Sequence, residues 1–197
     1  MFGRFVGIDL DNDQCLSTWC VRGRCQVASD MSDGDQHPFL YPTRIDIPSE
    51  IRMYLITMLN QTLACTVDLR SQVKQASWNV KGKAFSQLQV LFDTIATELD
   101  AYSDLMAERI IVLGGIALGT ARTAATKSTL PEYPGDIAVG HAHALALAER
   151  FAHYATAIRS SIVHAADVGD ADTASIYTDI SRGVGKRLGG LEAQLHQ

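Results

Sequence analysis

The sequence predicts an all-α protein, a bundle of four long helices in which the connection between the second and third carries a short helix of its own. Three observations predict it. Apolar residues recur three and four positions apart over four long stretches, as one buried helix face requires. Glycines punctuate the stretches, at Gly82, at Gly114 and Gly115, and at Gly169. No strand pattern competes with these four.

Residues 1–43 read as a flexible tail and 44–197 as the bundle. Asp46, Pro48 and Glu50 form a helix start: a capping side chain, a proline in the first turn and an acid near the positive end. The first helix then runs to about Val80, with Ile51, Leu55, Met58, Leu59, Leu63 and Leu69 on its buried face. The second spans about Ala84 to Leu113, with Phe85, Leu88, Leu91, Phe92, Ile95, Leu99, Leu105 and Ile110 as its stripe. Between Gly115 and Gly135 the connection is too long for an up-down turn, and TARTAATKS supplies the short helix before the LPEYP break. The third helix covers about Asp136 to Asp167 and the fourth about Asp172 to His196, with VGDAD as the turn between them.

Charge on the second helix suggests chemistry. Asp104 and Glu108 lie four apart, one helical turn from each other on one face, as a carboxylate pair for a hard cation requires. Asp93 shares that face but stands eleven residues earlier, about 16 Å along the axis at ~1.5 Å per residue. One ion cannot bridge that distance within a chain. All three can serve one site only if a two-fold axis sets Asp93 of one copy against Asp104 and Glu108 of another. The plainer alternative is a set of solvated helix charges balanced by neighbours such as Arg109.

The words KQASWNVKG, LFD at 91–93, DLMAERIIVLGG at 104–115, LPEYP at 130–134 and GDADTASIYTDISRGVGKRL at 169–188 decide between them. Together, in order over roughly 42–197, they resemble the Dps family, the starvation-induced DNA-protection miniferritins. The resemblance implies a ferritin-like four-helix subunit, assembly of a homo-oligomer into a hollow dodecameric cage, and an iron site at each two-fold interface that oxidises Fe(II), preferably with hydrogen peroxide. The family's carboxylate ligands fall on Asp93, Asp104 and Glu108. Its two histidine ligands fall on Ser77 and Gln89, so both imidazoles are absent. A neutral hydroxyl or amide oxygen holds iron weakly, which predicts a weakened site or a silent shell. An all-oxygen set suits a harder divalent ion such as Mn(II) or Mg(II).

Other residues depart from the family or stand near its site. Val90 and Thr94 replace acids that many relatives direct into the cavity. Trp78 matches a family tryptophan beside the iron site, with interface packing as its other reading. Asp167, Asp170 and Asp172 surround the turn where relatives place acidic pores, and a ring of them would concentrate cations; capping the fourth helix is the plainer role for Asp170 or Asp172. Gly189 and Gly190 stand where relatives carry large side chains, a place for the last helix to fray or bend. His141, His143, His153 and His164 read as exposed helix histidines.

Composition narrows the classes further. With 47% apolar and 20% charged residues the chain has the balance of a globular protein, and no run approaches the ~20 apolar residues of a membrane span. Aspartates interrupt the first residues where a secretory h-region would lie, so a cytoplasmic location is expected. A net charge of −5, with no lysine before Lys74, speaks against DNA binding through the tail. Cys15, Cys20 and Cys25 match no zinc module; they read either as reduced thiols or, with His37, as a loose metal or redox site. Met31 opens a segment resembling the start of many relatives, which makes it an alternative first residue.

Overall fold

The computed structural model describes residues 40–196. The expectations for the tail before residue 40, including Met31, His37 and the cysteine trio, lie outside the described residues. Among the described residues five α-helices follow one another: α1 (Ser49–Asn79), α2 (Phe85–Val112), α3 (Ala121–Lys127), α4 (Gly140–Asp167) and α5 (Ala171–Ala193), closed by a 3-10 turn at Gln194–His196. Among the described residues there is no strand beyond one isolated bridge, Lys81 to Val139. No helix is long and apolar enough to cross a membrane among them.

The four long helices form because each buries one stripe of the expected spacing. Leu55, Leu59, Leu63 and Leu69 from α1 meet Phe92, Ile95, Leu99 and Ile110 from α2, Leu147, Phe151 and Ile158 from α4, and Ile180 and Val184 from α5. Each such side chain contributes about 1.5–3 kcal/mol by leaving water. α1 packs most extensively on α2, and α4 on α5, while short α3 lies on α1. Hydroxyls enter this core in pairs. Tyr154 meets Thr66 at 2.6 Å and Tyr177 meets Thr62 at 3.0 Å, and burial pushes both phenols above their ordinary range.

Helix ends differ in detail from the sequence expectation. α1 begins after Pro48, with no side-chain cap, so Asp46 is not the capping residue. Gly114 ends α2 at φ +86°, a backbone region that favours glycine. A side chain there would also stand 2.6 Å from the Tyr41 carbonyl oxygen, and the Tyr41 amide donates back to the Gly114 carbonyl at 2.8 Å. Near its end α5 stays helical through Gly189 and Gly190 to Ala193, without the expected fraying, and Leu191 beyond them is fully buried and anchors the last turn.

The long crossover is tied to the bundle by polar groups. Ser128 donates to Asp68 at 2.5 Å, Gln72 donates to the Pro131 carbonyl at 3.2 Å, and buried Arg150 donates to the Glu132 carbonyl at 2.5 Å. Arg150 also lies over the Tyr133 ring, 5.6 Å from its centroid. His143 corrects the expectation of exposed histidines: it is 1% exposed and its Nδ1 meets the Tyr133 hydroxyl at 2.6 Å. Burial lowers its pKa, against a smaller opposing effect of the Asn79 carbonyl. His141, His153 and His164 are exposed as expected.

Candidate metal site

α1 and α2 run side by side, and near the end of α1 they bring three side chains from two sequence regions together. Asp93 Oδ1 accepts hydrogen bonds from the Lys74 ammonium at 2.8 Å and from the Ser77 hydroxyl at 2.8 Å. Lys74, then Ser77, hold the Asp93 carboxyl below the usual carboxylate range. Ser77 is buried, and its hydroxyl is committed as a donor. Gln89, at the other position where the family has histidine, is half-buried on the first turns of α2. Trp78 is 71% exposed, and the Lys74 ammonium lies 5.9 Å from its ring centroid.

Farther along α2, Asp104 and Glu108 stand exposed one turn apart. Among the described residues neither forms an ion pair with a lysine or arginine. The same helix exposes Leu105, Ile111 and Val112. Leu105 and Phe85, expected inside the bundle, are more than a third exposed: Leu105 lies off the buried stripe of α2, and Phe85 is the first residue of the helix. No three His, Cys, Asp or Glu side chains converge to hold a metal ion within the described residues of one chain.

Arg109 does not balance those carboxylates. It is 7% exposed and turns away to the α4–α5 turn, donating to Asp170 at 2.6 Å, to the Thr173 hydroxyl at 2.9 Å and to Asp172 at 3.4 Å. Asp170 is 4% exposed and caps α5, accepting from the Thr173 amide at 3.3 Å and from its hydroxyl at 2.5 Å. Burial pushes Asp170 up, but the hydrogen bonds from Arg109 and Thr173 outweigh it and hold the carboxyl below its ordinary value. Of the three aspartates at this turn, Asp167 and Asp172 are the ones that face solvent.

A family model described as a ferritin-like domain matches residues 56–197. The chain is 40% identical over 157 residues to a DNA protection during starvation protein of Agrobacterium fabrum, covering 80% of this chain and 97% of that one. It belongs to the Dps family. A second Dps relative, from Streptococcus suis, is 30% identical over 141 residues, with 71% of this chain and 82% of that one covered. Among solved structures, DpsA14 from Streptomyces coelicolor superposes with a TM-score of 0.75 at 26% identity, over 82% of this chain and 95% of that chain. The Dps protein of Vibrio cholerae, described as a member of a superfamily of ferritin-like diiron-carboxylate proteins, superposes with a TM-score of 0.73 at 23% identity, over 83% and 99%. That likeness shows the ferritin-like fold.

Within this Dps fold the three carboxylates singled out by spacing divide into two halves. Asp93 sits in a donor-rich corner with Lys74 and Ser77, and Asp104 with Glu108 forms a separate, unpaired couple. Lys74 is the site residue that sequence reasoning missed. Nineteen positions and a helix reversal separate it from Asp93, so no local spacing signals the pair.

Proposed function

We propose that the chain is a Dps-like miniferritin subunit that binds Fe(II) as substrate between two copies, oxidises it with reduced competence and sequesters it, limiting damage by peroxide and iron. Asp104 and Glu108 of one copy face Asp93 of the other across a two-fold axis, and twelve subunits close the cage in the cytoplasm. The observation that carries this reading is the state of Asp104 and Glu108. Two carboxylates without a countercharge, on a helix that also exposes Leu105, Ile111 and Val112, are arranged for a cation under a covering partner. The carboxylates anchor the ion, while Ser77 and Gln89 add only weak oxygen donors where imidazoles would bind firmly. Asp167 and Asp172 of neighbouring copies attract cations toward the interior, with Asp170 holding their turn in place.

The second reading is a catalytically silent shell, or a cage for a harder divalent ion. It is favoured by Ser77, whose neutral hydroxyl donates its hydrogen to Asp93 and whose oxygen is a weaker ligand than a histidine nitrogen. Anaerobic oxidation of Fe(II) by hydrogen peroxide separates the two, measured for the wild type, Asp104→Ala/Glu108→Ala and Ser77→His/Gln89→His. Fast oxidation abolished by the alanines supports the miniferritin. Background rates restored only by the histidines support the silent shell. Light scattering that gives a monomer of about the 21.4 kDa chain mass would remove the shared site altogether.

A further inference from the structure

We propose that the ion pair of Arg70 with Asp100 is a self-complementary pairing element: two copies of it meet at the two-fold axis between subunits and close a ring of alternating charges, which selects a second copy of this chain as the partner. This pairing rests on the shared site proposed above and adds to that interface residues that hold no metal.

The position follows from the geometry of the shared site. With Asp93 of one copy against Asp104 and Glu108 of the other, and the reverse across the axis, the two α2 helices run antiparallel over that length and pass the axis halfway along it. Halfway between Asp93 and the middle of the Asp104–Glu108 couple falls between Leu99 and Asp100. Leu99 is buried in its own bundle, so Asp100 is the side chain presented there. It lies seven residues after Asp93 and four before Asp104, on the same helix face. Thr97 and Ala101 beside it are small and exposed, which lets the two helices approach each other.

The axis thus sets Asp100 beside the Asp100 of the other copy. Two bare carboxylates there would repel each other, the more so as the covering helices exclude water. Arg70 on α1 answers that charge with a two-pronged contact: its Nε lies 2.9 Å from Asp100 Oδ1, and its Nη2 donates to Oδ2 at 3.3 Å. The remaining N–H donors of the guanidinium meet no acceptor among the described residues, which leaves them for the Asp100 of the other copy. In the single chain the two side chains are 44% and 54% exposed, a setting in which an ion pair adds little stability. Its weight rises once a partner covers it. A partner with another charge at either position sets like charges against each other, so the ring discriminates as well as attracts.

The test reverses the charges one at a time. Arg70→Glu places only acids at the axis and Asp100→Arg only cations, so each variant alone is expected to dissociate about tenfold or more readily than the wild type, read by light scattering over a concentration series at low salt. Produced together in one cell, the two variants should assemble again, with native mass spectrometry finding mixed pairs well above the statistical share of about half. Circular dichroism verifies that each variant is folded. Where a reversed variant does not fold, Arg70→Gln takes its place: it leaves the aspartates facing each other and should weaken pairing, and adding Asp100→Asn should recover part of the loss. Assembly of the variants indistinguishable from the wild type, or mixed pairs at no more than the statistical share, overturns the charge ring and leaves the shared site standing. A wild type that stays monomeric overturns the shared site, and the ring with it.

Discussion

Arg109→Met removes the cation beside Asp170 while keeping a side chain of similar length. In the structure Asp170 is 4% exposed and its partner 7%, with 2.6 Å between them, so the variant strands a nearly dry carboxylate with only Thr173 as donor. Breaking a buried pair by removing one partner costs about 3–5 kcal/mol. For a chain of this length that corresponds to a fall in Tm of roughly 6–20 °C, at about 2–4 °C per kcal/mol. The assay is urea and thermal unfolding at fixed protein concentration, with Arg109→Met/Asp170→Asn as the companion variant. Asparagine keeps the cap of α5 but carries no charge to strand. The double variant should therefore be more stable than the sum of the single losses predicts, by at least about 0.5 kcal/mol. Arg182→Ala, which breaks an exposed pair with Asp179, serves as the control and should change stability by less than about 1 kcal/mol. A loss below about 1 kcal/mol for Arg109→Met, or strict additivity in the double variant, would refute the assignment of this pair as a buried staple.

Acid should weaken the fold through the same carboxylate. The native pKa of Asp170 lies below its ordinary value of 3.8, so its contribution is complete above that value and is lost as pH falls through the lowered native pKa; urea midpoints should hold steady down to about pH 4 and then drop, less steeply in Asp170→Asn. Gly189→Ala and Gly190→Ala should each raise stability by up to ~1 kcal/mol, because nothing lies within 4 Å of the added carbon; a loss in thermal unfolding would mean that another copy fills the space. Gly183→Ala should lower stability instead, since Tyr102 packs where its side chain would stand, and the pairing Gly183→Ala/Tyr102→Phe should recover part of the loss by relieving the hydroxyl contact. Phe92→Ala, at a fully buried position of α2, should cost about 3–5 kcal/mol by chemical denaturation.

The helices were legible because their signal is local: an apolar residue every third or fourth position is the same whatever the partner. Helix starts were less so, since Asp46 has the right chemistry but lies two residues before Pro48, which holds the cap position ahead of Ser49, the first residue of α1. The glycine pair in α5 misled for a related reason. Local propensity disfavours Gly189 and Gly190, and the burial of Leu191 overrides it. His143 was misread because its partner, Tyr133, comes from the crossover, and an apolar stripe gives no notice of a polar contact across two segments. Of the site, the pairing of Asp104 with Glu108 follows from spacing alone. The hold of Lys74 and Ser77 on Asp93 does not, because it depends on how α1 lies against α2.

The hydroxyl pairs of the core have a consequence for how the bundle chooses its alignment. Leucines at Leu55, Leu59 and Leu63 repeat every turn, so an apolar stripe alone would tolerate α1 sliding by one turn past its neighbours. Thr62 and Thr66 are also one turn apart, but they face different tyrosines, Tyr177 on α5 and Tyr154 on α4. A slip by one turn would still give one phenol a threonine but would set the other opposite Met58 or Arg70, at about 1–3 kcal/mol for a group left unsatisfied. Two threonines thus act as a vernier: the leucines hold the helices together, and the hydroxyls select one axial setting from a ladder of otherwise similar ones.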